Sequence, residues 1–113
     1  MKRKLSKLSQ KQKERLSFID FCANFLGSIG RVEIVNRFGI SDASASKDLA
    51  TYIKLVPKNL KYDFKSRTHL ATKTFKPIYE FEATQVLRAL STGFGDTLEQ
   101  IPSPFIYSET AVD

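Results

Sequence analysis

The sequence predicts a mainly α fold with a small β-hairpin, and three observations support this prediction. Three segments before residue 57 carry apolar residues at helical spacing. A glycine or a proline follows each of those segments and marks its end. After Pro57 the apolar residues alternate, as in a half-buried strand, and a polar turn and a second apolar segment follow. Three helices and then a hairpin form the element order of a winged helix-turn-helix, which we predict for residues 11–79.

The first predicted helix, residues 9–26, is apolar on several sides. Its apolar residues are Leu16, Phe18, Ile19, Phe21, Cys22, Ala23, Phe25 and Leu26. We expect this helix to be central, because neighbours must cover more than one of its faces. Cys22 is therefore expected to be a core residue. Gly27 suits the C-cap, and Ile29 in the following connection is expected to form a one-residue strand.

The second and third predicted helices are joined by a short turn at Gly39, where we expect a left-handed backbone. The second helix spans residues 31–38, with Val32, Ile34, Val35 and Phe38 as its apolar positions. Ile40 is expected to point inward, and Ser41 is a suitable N-cap for the third helix. That helix should end before Pro57, and its expected inward residues are Ala45, Leu49, Tyr52, Ile53 and Val56.

The predicted wing is a hairpin within residues 59–75. Its first strand, residues 59–65, should bury one face and expose the other. Leu60, Tyr62 and Phe64 alternate with Lys61, Asp63 and Lys65. We place the turn at residues 65–68 and the return strand at residues 69–75. Asp63 is expected to pair with Lys61 or Arg67.

Charge divides the chain into a basic body and an acidic end. Residues 1–79 hold 17 Lys/Arg and 6 Asp/Glu, a net charge of +11, whereas residues 80–113 have a net charge of −5. The basic body suits nucleic acid, acidic protein or an anionic membrane. Residues 1–10 form a basic N-terminal arm, which either tracks phosphates or solubilises the chain as a disordered tail. From Glu80 we predict an additional C-terminal helix and then a linker, residues 80–113.

The third helix has small, hydroxylated and basic residues on its predicted outer face. The candidate recognition residues are Ser41, Ala43, Ser44, Ser46, Lys47, Thr51 and Lys54, and Asp48 is expected to share that face. Small side chains let a helix enter the major groove of B-form DNA, which is about 12 Å wide. Serine and threonine can donate to phosphates, and lysine can reach guanine. The alternative is that Ser and Ala are simply tolerated on a solvent-exposed helix.

Further candidate DNA contacts lie on the wing and at the ends of the second helix. These residues, expected to touch flanking backbone or minor groove, are Arg31, Arg37, Lys65, Ser66, Arg67 and His69. Double-stranded DNA is therefore the expected partner. A winged-helix protein-interaction module with incidental basic charge is the alternative. RNA and membrane binding are disfavoured, since no aromatic sheet motif and no strongly amphipathic apolar segment are present.

Catalysis finds little support in the sequence. The chain has one histidine, one cysteine and no glycine-rich phosphate loop. We therefore expect no enzyme activity, no cofactor and no metal site. There is no run of about 18 apolar residues, so no transmembrane helix is expected. A single cysteine excludes an internal disulfide, and a reducing cytoplasm is the expected compartment.

Several short motifs together resemble a known family. They are "NRFGIS", the pattern AS-x-DL-x-x-Y over residues 45–52, P-x-NL-x-YD over residues 57–63, and F-x-P over residues 75–77. Over about 50 residues the sequence resembles the N-terminal winged helix-turn-helix of WYL-domain transcriptional regulators linked to phage defence. These are the BREX- and CBASS-associated regulators of the BrxR/CapW type.

The resemblance implies a homodimeric bacterial repressor that binds an inverted repeat in the promoter of a phage-defence operon, close to the nucleoid. In the family a WYL domain, thought to bind an effector ligand, and a dimerisation domain follow the winged domain. This chain stops before either. We therefore expect residues 80–113 to lead toward an absent WYL and dimerisation region, with the homodimer belonging to the full-length protein. A naturally short homologue is the alternative.

Overall fold

The computed structural model describes residues 8–79, which form three helices and a three-stranded antiparallel sheet. The elements are α1 (Gln10–Leu26), β1 (Ser28–Ile29), α2 (Arg31–Phe38), α3 (Asp42–Leu55), β2 (Leu60–Asp63) and β3 (Thr68–Ala71). The predicted order of three helices and a wing is confirmed. The additional C-terminal helix and residues 1–7 of the arm lie outside the described residues.

The sheet has the strand order β1-β3-β2, so the short strand β1 pairs with the wing. Ile29 lies opposite His69, and Leu60 lies opposite Ala71. The amide of Ala71 also donates to the carbonyl of Gly27 at 2.9 Å. The connection between α1 and α2 is therefore fastened to the base of the wing, and Ile29 belongs to a strand of two residues rather than one.

Serine caps begin two of the helices, and left-handed glycines end two. Ser9 and Gln12 form a capping box at the start of α1, and the hydroxyl of Ser41 accepts from the amide of Ser44 at 3.1 Å. Gly27 and Gly39 have φ of 80° and 64°. A Cβ at either position would meet no atom within 4 Å. Glycine is therefore favoured at both positions by the left-handed backbone, because a side chain would have enough room.

The core surrounds α1, whose residues 16–23 are all buried. Ile34 from α2, the inner face of α3 and Leu60 from β2 complete it, together with Ile78 and Tyr79. Cys22 is buried as predicted. Three expectations for apolar positions were wrong: Phe25, Leu26 and Val32 are 37%, 49% and 64% exposed. Each lies in the first or last turn of its helix.

Only the base of the wing joins the core, which corrects the predicted half-buried strand. Leu60 is 7% exposed, but Tyr62 and Phe64, on the same side of the strand, are 40% and 83% exposed. The strands are also shorter than predicted, and the turn spans residues 64–67. The outer half of the hairpin projects beyond the core, because alternation continues past the point where the helices stop covering it.

Asp20 lies in the middle of α1 and is completely buried. Its carboxylate accepts from the Tyr52 hydroxyl at 2.6 Å and from the amides of Ile78 and Tyr79 at 3.0–3.1 Å. The Asn59 side chain donates to the same Tyr52 hydroxyl at 3.1 Å and forms hydrogen bonds to both backbone groups of Lys76. This network, the Asp20 cluster, joins α1, α3 and residues 76–79.

Burial raises the pKa of Asp20 from 3.8 to about 6, and the hydrogen bonds from Tyr52, Ile78 and Tyr79 offset part of that rise. Between these two pKa values the folded chain binds more protons at this site than the unfolded chain does. The contribution of Asp20 to the free energy of unfolding is therefore greatest below pH 3.8 and is lost as the pH rises through about 6.

Replacing Asp20 with Asn should remove this pH dependence. The free energy of unfolding of the native chain, minus that of the Asn variant, should fall by up to about 3 kcal/mol as the pH rises from about 4 to about 7. Urea denaturation of both proteins across this range measures the difference. Parallel pH profiles would show that Asp20 has no raised pKa.

Candidate nucleic-acid interface

The predicted recognition residues lie on one accessible side of α3 and its cap. Six of the seven are exposed, and only Thr51 is half-buried. The exposed members are Ser41, Ala43, Ser44, Ser46, Lys47 and Lys54. Their opposite side is fixed in the core by Ala45 and Tyr52, both fully buried. We call the exposed side the outer face of α3.

Two hydroxyls of the outer face already serve the helix itself. Ser41 caps the helix and also donates to the Ser44 hydroxyl at 3.0 Å. Thr51 donates to the carbonyl of Lys47 at 2.9 Å, one turn earlier in the helix. Of the predicted set, Ser46, Lys47 and Lys54 therefore have the side chains best placed to meet a ligand.

Arg31, at the start of α2, reaches across to the first half of α3. Its guanidinium lies 3.4 Å from the Ser46 hydroxyl and 3.7 Å from an Asp42 carboxylate oxygen. Arg31 and Asp42 side chains are 55% and 74% exposed. An exposed pair of this kind contributes only about 0–1 kcal/mol, so a phosphate can readily replace Asp42 as the partner of the guanidinium.

Arg37 and His69 are half-buried, whereas the other predicted backbone contacts, Arg31, Lys65, Ser66 and Arg67, are exposed. The guanidinium carbon of Arg37 lies 5.2 Å from the ring centroid of Phe38, within cation–π distance. The Arg37 side chain therefore packs against α2, and it is less accessible to DNA than Arg31 is.

The tip of the wing is a turn with an ordered hydrogen-bond pattern. The Asp63 carboxylate accepts from the amide and hydroxyl of Ser66 at 3.1 and 2.6 Å, and these bonds lower the pKa of Asp63. The predicted pairing of Asp63 with Lys61 or Arg67 side chains is wrong. The Asp63 carbonyl instead accepts from the Arg67 amide at 2.8 Å. Arg67 has φ of 57°, a left-handed conformation that costs a non-glycine residue roughly 1 kcal/mol or more.

Two aromatic residues, Tyr62 before this turn and Phe64 at its first position, are expected in the core from the sequence but lie outside it. The rings of Tyr62 and Phe64 are 4.8 Å apart and meet edge to face, and Tyr62 also contacts His69 at 5.0 Å. Phe64 was not among the predicted site residues, although it stands beside the exposed Lys65 and Ser66 at the tip. A large apolar residue directly beside a basic turn is the signal that could have identified it.

An open groove of about 630 Å³ separates the flank of α3 from the wing. We call it the wing groove. Ser46 and Ala50 line it from α3, Arg31 from α2, and Tyr62 and His69 from the wing. His69 is half-buried there, and burial lowers the pKa of its imidazole.

Asp48 does not lie on the outer face of α3, as the sequence suggested. It is 5% exposed, and its carboxylate pairs with Arg15 of α1 at 2.6 Å. Position 48 falls three residues after Ala45 and four before Tyr52, so it shares their inward side. A pattern that treats polar residues as outward missed it, because its partner lies 33 positions away in the sequence.

The described residues contain no group of three or more potential metal ligands. Burial raises the pKa of the Cys22 thiol, which disfavours its reactive thiolate form. None of the helices described between residues 8 and 79 is both long and apolar enough to span a membrane.

Comparison of the sequence with protein families and with individual proteins gives results that agree with each other. The profile of the family described as the BrxR transcriptional regulator winged helix-turn-helix domain matches residues 11–92. Three similar proteins are each named DNA-binding transcriptional repressor CapW. The one from Escherichia coli (strain KTE188) is 47% identical over 68 residues, 60% of this chain and 23% of that protein.

The Pseudomonas aeruginosa protein is 39% identical over 74 residues, 66% of this chain and 25% of its own length. The Stenotrophomonas maltophilia protein is 43% identical over 86 residues, 75% of this chain and 29% of its own length. The chain thus spans about a quarter of the length of these relatives.

Replacing Arg15 with Met should destabilise the fold by roughly 2–4 kcal/mol, because Asp48 then stays buried without a positive partner. Urea denaturation near neutral pH measures the loss. The double replacement Arg15→Met with Asp48→Leu is the matched control and should recover most of the stability. A double variant as unstable as the single one would show that the ion pair is not what holds α3 against α1.

Proposed function

This chain belongs to the family of BrxR transcriptional regulator winged helix-turn-helix domains, and on that premise we propose that it is the DNA-binding domain of a transcriptional repressor. In this proposal α3 is the recognition helix and enters the major groove of double-stranded DNA. The wing contacts the flanking backbone. The observation that carries the proposal is the outer face of α3, which joins small side chains to Lys47 and Lys54.

The size of the outer face supports entry into the major groove. A helix with its side chains is about 10–12 Å across, close to the width of that groove. Ala43, Ser44 and Ser46 keep the first turns narrow, so the backbone of α3 can approach the base edges. Lys47, one turn further along, is long enough to reach guanine acceptors. Lys54, two turns beyond Lys47, would contact a backbone phosphate.

The conformation of Arg67 supports a wing contact with DNA. A left-handed arginine is costly where glycine would be unstrained, so an arginine at this position is better explained by its side chain than by its backbone. Lys65 and Ser66 are exposed on the same turn. Lys65 and Arg67 offer two cations to a phosphate backbone or a minor groove, and Ser66 shapes the turn through its bonds to Asp63.

The finer features of the proposal come from the family. We propose that the full-length protein is a homodimer that binds an inverted repeat in the promoter of a phage-defence operon. Two recognition helices related by twofold symmetry would then meet half-sites about 34 Å apart, one turn of DNA. An effector ligand would act through a WYL domain rather than through residues 8–79. The relatives carry the name of DNA-binding transcriptional repressors, which agrees with this proposal.

One observation favours a second candidate, a protein-interaction module. Phe64 is 83% exposed and Val32 is 64% exposed. Exposed apolar side chains of this size can contact a protein partner. This candidate predicts DNA binding that is weak and indifferent to sequence, so a single binding comparison separates it from the repressor.

The chain should prefer the DNA upstream of its own gene to a shuffled duplex by 100-fold or more, roughly the lower end of operator selectivity. Fluorescence anisotropy at roughly 50 and 200 mM salt measures both affinities, and each phosphate contact steepens the decline with salt. Equal, salt-sensitive affinity for the two duplexes would contradict sequence-specific binding and favour the second candidate.

Replacing Lys47 with Ala should weaken binding to the upstream duplex by about 1–3 kcal/mol, as for loss of a base contact, and leave the fold intact. Lys76→Ala is the matched control. Lys76 is exposed, but its backbone bonds to Asn59 beneath the buried side of α3, away from the outer face.

The Lys76 variant should bind as the native chain does. An equal loss on specific and shuffled DNA would make Lys47 a phosphate contact. If the Lys47 variant kept native affinity on both duplexes, α3 would not be the recognition helix.

A further inference from the structure

The wing groove lies directly beside the outer face of α3. Its α3 wall consists of Ser46, Leu49, Ala50 and Ile53, and its far wall is the wing. Ala50 is exposed and has a short side chain, so this side of the groove is open to solvent. Leu49 is the core residue in this wall. The proposal above assigns DNA contacts to the outer face of α3 and to the tip of the wing, and it leaves the space between them unassigned.

A recognition helix leaves no spare width in the major groove, since both are about 10–12 Å across. The two phosphate strands that border the major groove must therefore press against the flanks of α3. On the wing side that flank is Ser46 and Ala50. A wing that touches the next minor groove would then have one strand between itself and α3, and the wing groove is the space available for it.

We propose that the wing groove seats one DNA strand and that His69 takes up a proton when a phosphate enters, so that DNA binding is coupled to pH. This inference rests on the proposed function. Arg31 at one end of the groove and Thr68 beside His69 would share the phosphate contacts.

Partial burial lowers the pKa of His69 and so favours the neutral imidazole in the free chain. Arg31 and Arg67 line the same groove and make its charge positive. Glu33 from α2 is the acidic residue lining the groove, Tyr62 adds a ring at 5.0 Å, and the four α3 residues are uncharged.

A phosphate in the groove would reverse this balance. Its negative charge neutralises the effect of the two arginines and favours the imidazolium, which offers a second N–H donor. The Ser66 hydroxyl donates to Asp63, and the Thr68 hydroxyl on the same wall donates to Ser66 at 2.7 Å. Thr68 can redirect its proton to a phosphate oxygen. Proton uptake on binding means that affinity rises as the pH falls.

Because His69 is the only histidine in the sequence, its ring gives a single unambiguous NMR signal. Titration of that signal should be compared in the free 113-residue chain and in the chain saturated with the upstream duplex at low salt. We expect the pKa of His69 to rise by one unit or more in the complex. The same pKa in both states, with DNA demonstrably bound, would overturn the inference and leave the repressor proposal standing.

The affinity for DNA should depend on the protonation of His69. Between pH 7.5 and pH 6.0 the native chain should bind the upstream duplex roughly 5- to 10-fold more tightly, measured by anisotropy at constant ionic strength. His69→Gln should change less than about twofold over this range, whereas the control Lys76→Gln should keep the native pH response.

A glutamine variant that keeps the full pH response would overturn the inference and point to another titrating group, such as Asp20. Urea denaturation of the glutamine variant checks its fold, and the NMR titration of the native chain does not depend on that variant. Failure of the native chain to bind either duplex at low salt would overturn both the inference and the proposed function.

Discussion

The position of α3, the proposed recognition helix, depends on one buried carboxylate. Asp20 accepts hydrogen bonds from the Tyr52 hydroxyl of α3 and from the amides of Ile78 and Tyr79. These donors lie 32 or more positions from Asp20 in the sequence. A buried carboxylate without such partners costs several kcal/mol, so these donors are obligatory. They hold α3 from its inner side alone. Apart from the Ser41 cap, the outer face is not needed to hold α3 in the core, and it can be small and polar without weakening the domain.

The same division of labour applies to the wing. Leu60 and the pairing of β3 with β1 anchor its base, whereas Phe64 and Arg67 at the outer end are exposed. Hydrogen bonds from Ser66 to Asp63, rather than packing, shape the tip. A turn held by local bonds keeps its form outside the core, which suits a surface meant for a partner.

Local patterns predicted the helices, their caps and the left-handed Gly39, because a cap or a helical period is read from a few adjacent residues. They failed at Asp48 and did not reveal the role of Asp20. Each is a charged residue whose burial depends on a partner 32 or more positions away in the sequence. Alternation also misplaced Tyr62 and Phe64, since a period of two gives the faces of a strand and not the point at which the core ends.

The exposed hydrogen bonds near α3 suggest how such a surface exchanges partners. Arg31 bonds to Ser46 and faces Asp42 across the α2–α3 junction, and both contacts are long and solvated. Contacts of this kind contribute about 0–1 kcal/mol, whereas a charge-assisted bond from a guanidinium to a phosphate is roughly twice as strong as a neutral one. A phosphate would thus gain more from Arg31 than the free chain loses. The guanidinium also lines the wing groove, where the DNA strand is proposed to lie.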